Sequence, residues 1–245
     1  MMDRLGGPAP RPIPPPMPRG MLRDRLEAAP TMTTDPAQKY RTILLFGMPG
    51  SGKGTQGMVL GQLPDFVHIS SGDIFRKLPK WGELGREVVR YTSTGSLVPD
   101  DLTVRIWRRQ IQVLELQELL LPGQHTLILD GLPRNYAQAE ILNDMLDVIQ
   151  IFHLNISDTK KAIERLKARA LRENRLDDIN EEVIKKRLQV YYEQTFTTLS
   201  FYDKKLVFEV DASQPPLGVL QAIVNRLADL NRGRSPGPSS RSEHS

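Results

Sequence analysis

The chain has 245 residues, with 33 Lys and Arg against 29 Asp and Glu, and no cysteine. That length carries one α/β domain with a sizeable core or two small ones; the missing cysteines exclude disulfides and thiolate-ligated zinc; and with no long unbroken apolar run, no transmembrane helix is expected. The net charge of +4 suits anionic partners, but the arginines recur singly, as placed phosphate contacts and solvated surface do, and form no block of the kind that coats nucleic acid.

Residues 1 to about 39 are expected to be a disordered tail. Prolines crowd it, Pro14, Pro15 and Pro16 in succession, and such a stretch favours extended polyproline and cannot bury a core. Residues 1–30 carry no apolar run, so no secretory signal is expected there. Proline density and the acidic Asp3, Asp24 and Glu27 argue against an organelle address and against a basic nucleic-acid arm.

The first folded signal is Ile43-Leu44-Leu45-Phe46, a fully buried strand. A glycine-rich turn follows, then a helix from about Lys53 to Gln62. Phe66 to Ile69 is a second strand, and helical patterns cover 71–79, 83–94 and 100–120, the last opened by Pro99 and Asp100. His125 to Leu129 is a third strand, followed by a helix over about 135–146. Val148 to Leu154 is a fourth strand, with helices at about 158–172 and 181–197. Leu206 to Val210 is a fifth, with a last helix at about 216–230. From Asn231 a Gly-, Pro- and Ser-rich tail is expected to be disordered. Strand and helix alternating at this spacing predict a parallel sheet covered on both faces. Ligands then sit beyond the carboxyl ends of the strands.

Gly47-Met48-Pro49-Gly50-Ser51-Gly52-Lys53-Gly54-Thr55 stands between the first strand and its helix, the context a phosphate-binding loop requires. Its glycines let successive N–H groups turn toward phosphate oxygens, the helix start adds partial positive charge, and Lys53 a full one. The hydroxyl expected directly after the lysine is displaced from Gly54 to Thr55. On its own this loop implies only that a nucleoside triphosphate binds.

With Gly54 and Thr55 in those places, the segment closely resembles the P-loop of adenylate kinases. Four further segments follow in that family's order: His68 to Asp73 with Arg76; Gly95-Ser96-Leu97-Val98-Pro99-Asp100; Asp130-Gly131-Leu132-Pro133-Arg134; and Arg175-Leu176-Asp177-Asp178 with Lys186-Arg187. The resemblance covers about residues 42–230. It implies the P-loop nucleoside monophosphate kinase fold, α/β with a five-stranded parallel sheet flanked by helices, over residues 40–230. It also implies a monophosphate-binding insert near 70–99 and a lid near 168–180. Only Ala170 to Asn174 separates Arg169 from Arg175, so the lid is the short form.

The resemblance implies Mg²⁺-dependent transfer between ATP and AMP, giving two ADP, by a cytoplasmic monomer whose partners are these nucleotides, with no nucleic acid and no membrane. On the ATP side it points to Gly50, Ser51, Gly52, Lys53, Gly54, Thr55, Arg165 stacking on the adenine, and Gln214 in the loop Asp211 to Pro215. On the AMP side it points to Ser71, Arg76, Ser96, Val98, Gly131, Arg134, Gln138, Arg175 and Arg187. Lys53, Arg134, Arg169, Arg175 and Arg187 would neutralise the transferring group. The metal would have no direct protein ligand, with Asp130 and Asp73 reaching its waters. Asp177 and Asp178 would orient arginines, and Ile179 is one residue more than the family usually carries before the helix to Arg187.

The residues leave the acceptor base open. The amide of Gln138 can both donate to and accept from an adenine edge, with Phe75 available to pack against the base, whereas Asn135 is reminiscent of the related UMP-CMP kinases. A non-enzymatic nucleotide switch on the same fold is the other reading, although a switch needs no acceptor set such as Arg76, Arg134 and Gln138.

Overall fold

In the computed structural model, the apolar runs become strands of one parallel sheet. Residues 38–173 and 180–232 are described; the expectations for the N-terminal tail, for Arg175, Asp177, Asp178 and Ile179, and for the chain beyond 232 lie outside them. The strands are β1 (Tyr40–Phe46), β2 (Phe66–Ser70), β3 (Thr126–Asp130), β4 (Leu146–Asn155) and β5 (Val207–Asp211), in the order β2-β3-β1-β4-β5. All four pairings are parallel. The helices are α1 (Lys53–Leu60), α2 (Ser71–Lys77), α3 (Glu83–Thr92), α4 (Asp100–Leu116), α5 (Tyr136–Asn143), α6 (Thr159–Glu173), α7 (Glu181–Val190) and α8 (Pro216–Arg232).

β1 is central because it is apolar on both faces. Side chains alternate across a strand, so Ile43 and Leu45 join one core with Phe152, Leu166 of α6, Ile184 of α7 and Ile223 of α8. Leu44 and Phe46 join the other, with Leu129, Trp107 of α4 and Leu142 of α5. A third cluster, Val88, Val98, Leu102 and Ile106, lies away from the sheet. It gives the segment between β2 and the body of α4 packing of its own.

Helices end earlier than periodicity predicts where the backbone is diverted. α4 stops at Leu116, because Glu118 takes a positive φ of 57° and the Leu119 and Leu120 N–H groups both turn back to the Leu114 carbonyl. The helix predicted over 181–197 is α7 to Val190, a π-helical turn at Tyr191–Thr195, and a 3₁₀ turn at Thr197–Phe201. Long-range bonds hold that turn: Thr195 Oγ1 donates to the Arg134 carbonyl at 2.9 Å, and Tyr191 is bound to His153. The last helix continues through Arg232, two residues into the stretch expected to be tail.

Candidate active site

A cleft of about 450 Å³ opens beyond the carboxyl ends of β1 and β3. Its floor is the turn between β1 and α1, and Gly50, Ser51, Gly52, Lys53, Gly54 and Thr55 all line it. Gly50 has a φ of +87°, and a Cβ there would stand 2.4 Å from the Ala162 carbonyl oxygen, so only glycine lets the loop pass this close to α6. Ser51 Oγ is buried without a hydrogen-bond partner. An orphaned hydroxyl among inward-facing amides is a mark of a missing ligand.

Lys53 Nζ donates to the loop's own carbonyls, Gly47 at 2.6 Å and Met48 at 3.1 Å. Burial lowers its pKa to about 8; Asp130 opposes the shift, while Arg134, Arg169 and Arg187 deepen it. Burial likewise brings Arg134 down to about 10, with Arg187 and Arg76 adding to the shift and Asp130 opposing it. These cations converge on one low-dielectric space, an arrangement that suits a polyphosphate.

The other wall is built on β3 and its turn. Asp130 ends the strand 7% exposed, and Arg134 Nε donates to the Gly131 carbonyl at 2.8 Å. Gly131 has a φ of +78°, and a Cβ there would meet Ser71 Oγ at 2.6 Å. Arg76 Nη2 bonds Asp73 Oδ1 at 2.5 Å on the open side of the cleft. Above them, Arg165, Arg169 and Arg172 follow one another along α6, and Arg187 comes from α7.

A model of the adenylate kinase family matches residues 45–207. An adenylate kinase of Thermobifida fusca is 39% identical over 194 residues, which is 76% of this chain and 97% of that protein. One from Cyanothece sp. is 38% identical over 195 residues, 76% of this chain and 95% of that protein. One from Flavobacterium psychrophilum is 33% identical over 196 residues, 77% and 96% respectively.

The chain belongs to the adenylate kinase family.

The five parallel strands flanked by helices are the fold that membership implies. Of the residues the adenylate kinase resemblance singled out, the P-loop set, Arg76, Gly131, Arg134, Arg165, Arg169, Arg187, Gln214, Asp73 and Asp130 all line the cleft. Ser71, Ser96, Val98 and Gln138 stand back from it. Ser71 is a strut, its Oγ donating to the Gly131 carbonyl at 2.8 Å. Val98 packs in the third cluster, and Ser96 Oγ accepts from Thr94 Oγ1 at 3.1 Å.

Gln138 is 1% exposed. Its Oε1 accepts the Arg134 N–H at 2.7 Å and its Nε2 donates to Asp100 Oδ1 at 2.7 Å, so both ends of the amide are engaged inside the protein. Asn135 has a local reason for its identity. It caps α5, its Oδ1 accepting the Gln138 N–H at 2.8 Å, and its Nδ2 donates to Asp100 at 2.8 Å. Its presence therefore says nothing about a pyrimidine.

Arg165 is held along its guanidinium edge, by bonds that do not use the face expected to stack. It lines the cleft, and Nη1 donates to the Ala212 carbonyl at 2.7 Å and Nη2 to those of Ser213 and Gln214 at 3.4 and 3.3 Å. It thus ties α6 to the loop that carries Gln214. Sequence reasoning missed Arg172 and Glu173, which also line the cleft. The signal was available for Arg172: with Arg165 and Arg169 it completes an i, i+4, i+7 stripe on one helix face.

Among the described residues no group of three His, Cys, Asp or Glu could cage a metal ion. The donor set fits an ion carried by the triphosphate, with the buried, cleft-lining Asp130 carboxylate available to its waters. Asp73 fits less well, since Arg76 already engages it.

Proposed function

We infer that the chain is a nucleoside monophosphate kinase that transfers the γ-phosphoryl group of ATP to AMP, ATP + AMP ⇌ 2 ADP. The observation that carries this is the pair Lys53 and Arg134: two half-buried cations on different strands' turns, both with depressed pKa, facing one cleft beside Asp130. A single nucleotide pocket would need only the first.

An AMP phosphate oxygen attacks the γ-phosphorus, and the bond from that phosphorus to the β–γ bridging oxygen breaks. The electron pair leaves on ADP, and no side chain forms a covalent bond. The protein's part is positioning and fixed positive charge. The loop N–H groups and Lys53 hold the β- and γ-phosphates. Arg76 and Arg134 hold the acceptor phosphate, and Arg169 and Arg187 neutralise the group in flight, with Arg175 joining them from the lid. Mg²⁺ carried with ATP would supply further charge neutralisation on the phosphates, and Asp130 would hold its water.

The segment over about 70–99 is the acceptor insert, supported by its separate hydrophobic cluster. The segment joining α6 to α7, near 168–180, is the lid, supported by the cleft-lining Arg169 and Arg187 on the helices before and after it. Closing it excludes water, which would otherwise take the γ-phosphoryl group. Gln138 turns from Asp100 to the adenine when AMP arrives. We read the enzyme as a cytoplasmic monomer, the location in keeping with a chain without cysteine. Of the described helices none is long and apolar enough to cross a membrane.

The deciding assay follows ADP formation from ATP with AMP, CMP, UMP and GMP in turn. AMP is the expected acceptor; no ADP with any of them would sink the enzyme reading, and CMP or UMP outrunning AMP would sink the base assignment.

A further inference from the structure

His153 does not line the cleft, yet it is among the most deeply placed polar side chains, 3% exposed near the carboxyl end of β4. It is in register with Phe46, the last residue of β1 before the phosphate-binding loop, and with Glu209 on β5. Its Nδ1 lies 2.7 Å from Glu209 Oε1 and its Nε2 2.9 Å from Tyr191 Oη. A carboxylate only accepts, so Nδ1 carries the proton. In the neutral ring that leaves Nε2 as an acceptor, and the Tyr191 hydroxyl donates to it.

Tyr191 is where α7 gives way to the π-helical turn, four residues after Arg187 and on the same helix face. Both side chains line the cleft. The turn closes with the Phe196 N–H on the Tyr191 carbonyl at 2.8 Å, and Thr195 then grips the carbonyl of Arg134 at 2.9 Å. The π-helical turn departs from the register of α7. The bond from His153 to Tyr191 ties it to a fixed point on the sheet.

We propose that His153 is a positioning residue for phosphoryl transfer: oriented by Glu209, it pins Tyr191 and so sets where Arg187 stands over the cleft. This rests on the kinase reading above. It explains why a polar, two-sided side chain occupies a strand position whose neighbours Phe152 and Leu154 are fully buried and apolar.

The test is His153→Phe, which keeps the ring against Phe196, 5.6 Å away, and removes both hydrogen bonds. Displacing a charged group by a fraction of an ångström should lower kcat roughly 10-fold, with KM for ATP and AMP within about 2-fold. In an Arg187→Ala background the same substitution should change kcat less than about 2-fold, because residues acting as a unit are not additive. Tyr191→Phe, which deletes only the hydroxyl, should reproduce the loss if His153→Phe fails to fold. Unchanged kcat in either folded variant, or the same loss with and without Arg187, overturns the proposal. Wild-type protein inactive on every monophosphate would count against the kinase reading alone. The positioning claim is then read from the affinity for inorganic tripolyphosphate, which His153→Phe should weaken several-fold only while Arg187 is present; equal weakening without Arg187, or none with it, overturns it.

Discussion

The two walls of the cleft are built in different ways. The donor wall is nine consecutive residues, Gly47 to Thr55, set between a fully buried strand and a helix, with Lys53 already bonded to the loop's carbonyls. The acceptor wall is gathered from α2, the turn after β3 and the loop before α4, and its arginines are unequal. Arg134 is half-buried and bonded to Gly131, whereas Arg76 is exposed and paired with a neighbour on its own helix. A contiguous loop gives a preformed phosphate site; a gathered wall gives one that must adjust when its ligand arrives.

The largest effect should follow from breaking the preformed side. Lys53→Met removes the one side-chain cation of the loop, and kcat is expected to fall about 1,000-fold with KM for AMP nearly unchanged. A loss below about 10-fold in the ADP-formation assay would mean that the loop amides alone carry the donor phosphates. On the acceptor side Arg134→Ala should cost about 100-fold, chiefly in kcat, since a charge inside the cleft acts in low dielectric. Arg76→Ala should cost about 10-fold and mainly raise KM for AMP, because solvent screens an exposed guanidinium. If Arg76 proved the more costly of the two, the unequal division of the acceptor wall would be wrong.

Gln138 sharpens the comparison at the base. Its amide bridges Arg134 and Asp100, and the shorter side chain of Asn cannot span both. Gln138→Asn should lower kcat/KM for AMP about 10-fold and narrow the preference over CMP, about 1.4 kcal/mol of hydrogen bonding being at stake. Equal kcat/KM for AMP before and after the change would remove Gln138 from base recognition.

This same difference governs what was legible in the sequence. The sheet was readable because its strands are apolar runs covered on both faces, and the phosphate loop because all its chemistry is local. Ser71, Ser96 and Val98 follow the family pattern, but a pattern does not distinguish a residue that touches ligand from one that braces its neighbour. The Ser71–Gly131 bond and the packing of Val98 add a bracing role that no pattern carries. The π-helical turn was invisible for a related reason: its register is set by His153 and Arg134, dozens of residues away, and helical periodicity carries no trace of them. Arg165 was legible as a cleft residue, but its engagement with three loop carbonyls depends on a contact nearly fifty residues distant.

The smallest effect is also the most direct probe of the preformed side. In the free protein Lys53 is held near pKa 8, against an ordinary value of 10.5, because burial and three arginines outweigh Asp130. A lysine depressed in this way binds fewer protons folded than unfolded between pH 8 and 10.5. The unliganded protein should therefore gain stability from this group as pH rises through that window, and carry its full cost below pH 8. Phosphates bound against the ammonium reverse the shift and restore the proton. At pH 8.5 roughly three-quarters of the lysines would be neutral beforehand, so ATP binding should take up a little under one proton per site. Calorimetric titrations in two buffers of different ionisation enthalpy measure that uptake. It should vanish at pH 7, where the lysine is already charged, and in Lys53→Met at any pH. Uptake that persisted in Lys53→Met would assign the proton to the nucleotide or to another group, and the lysine would then be an ordinary charged side chain rather than one whose pKa burial holds down.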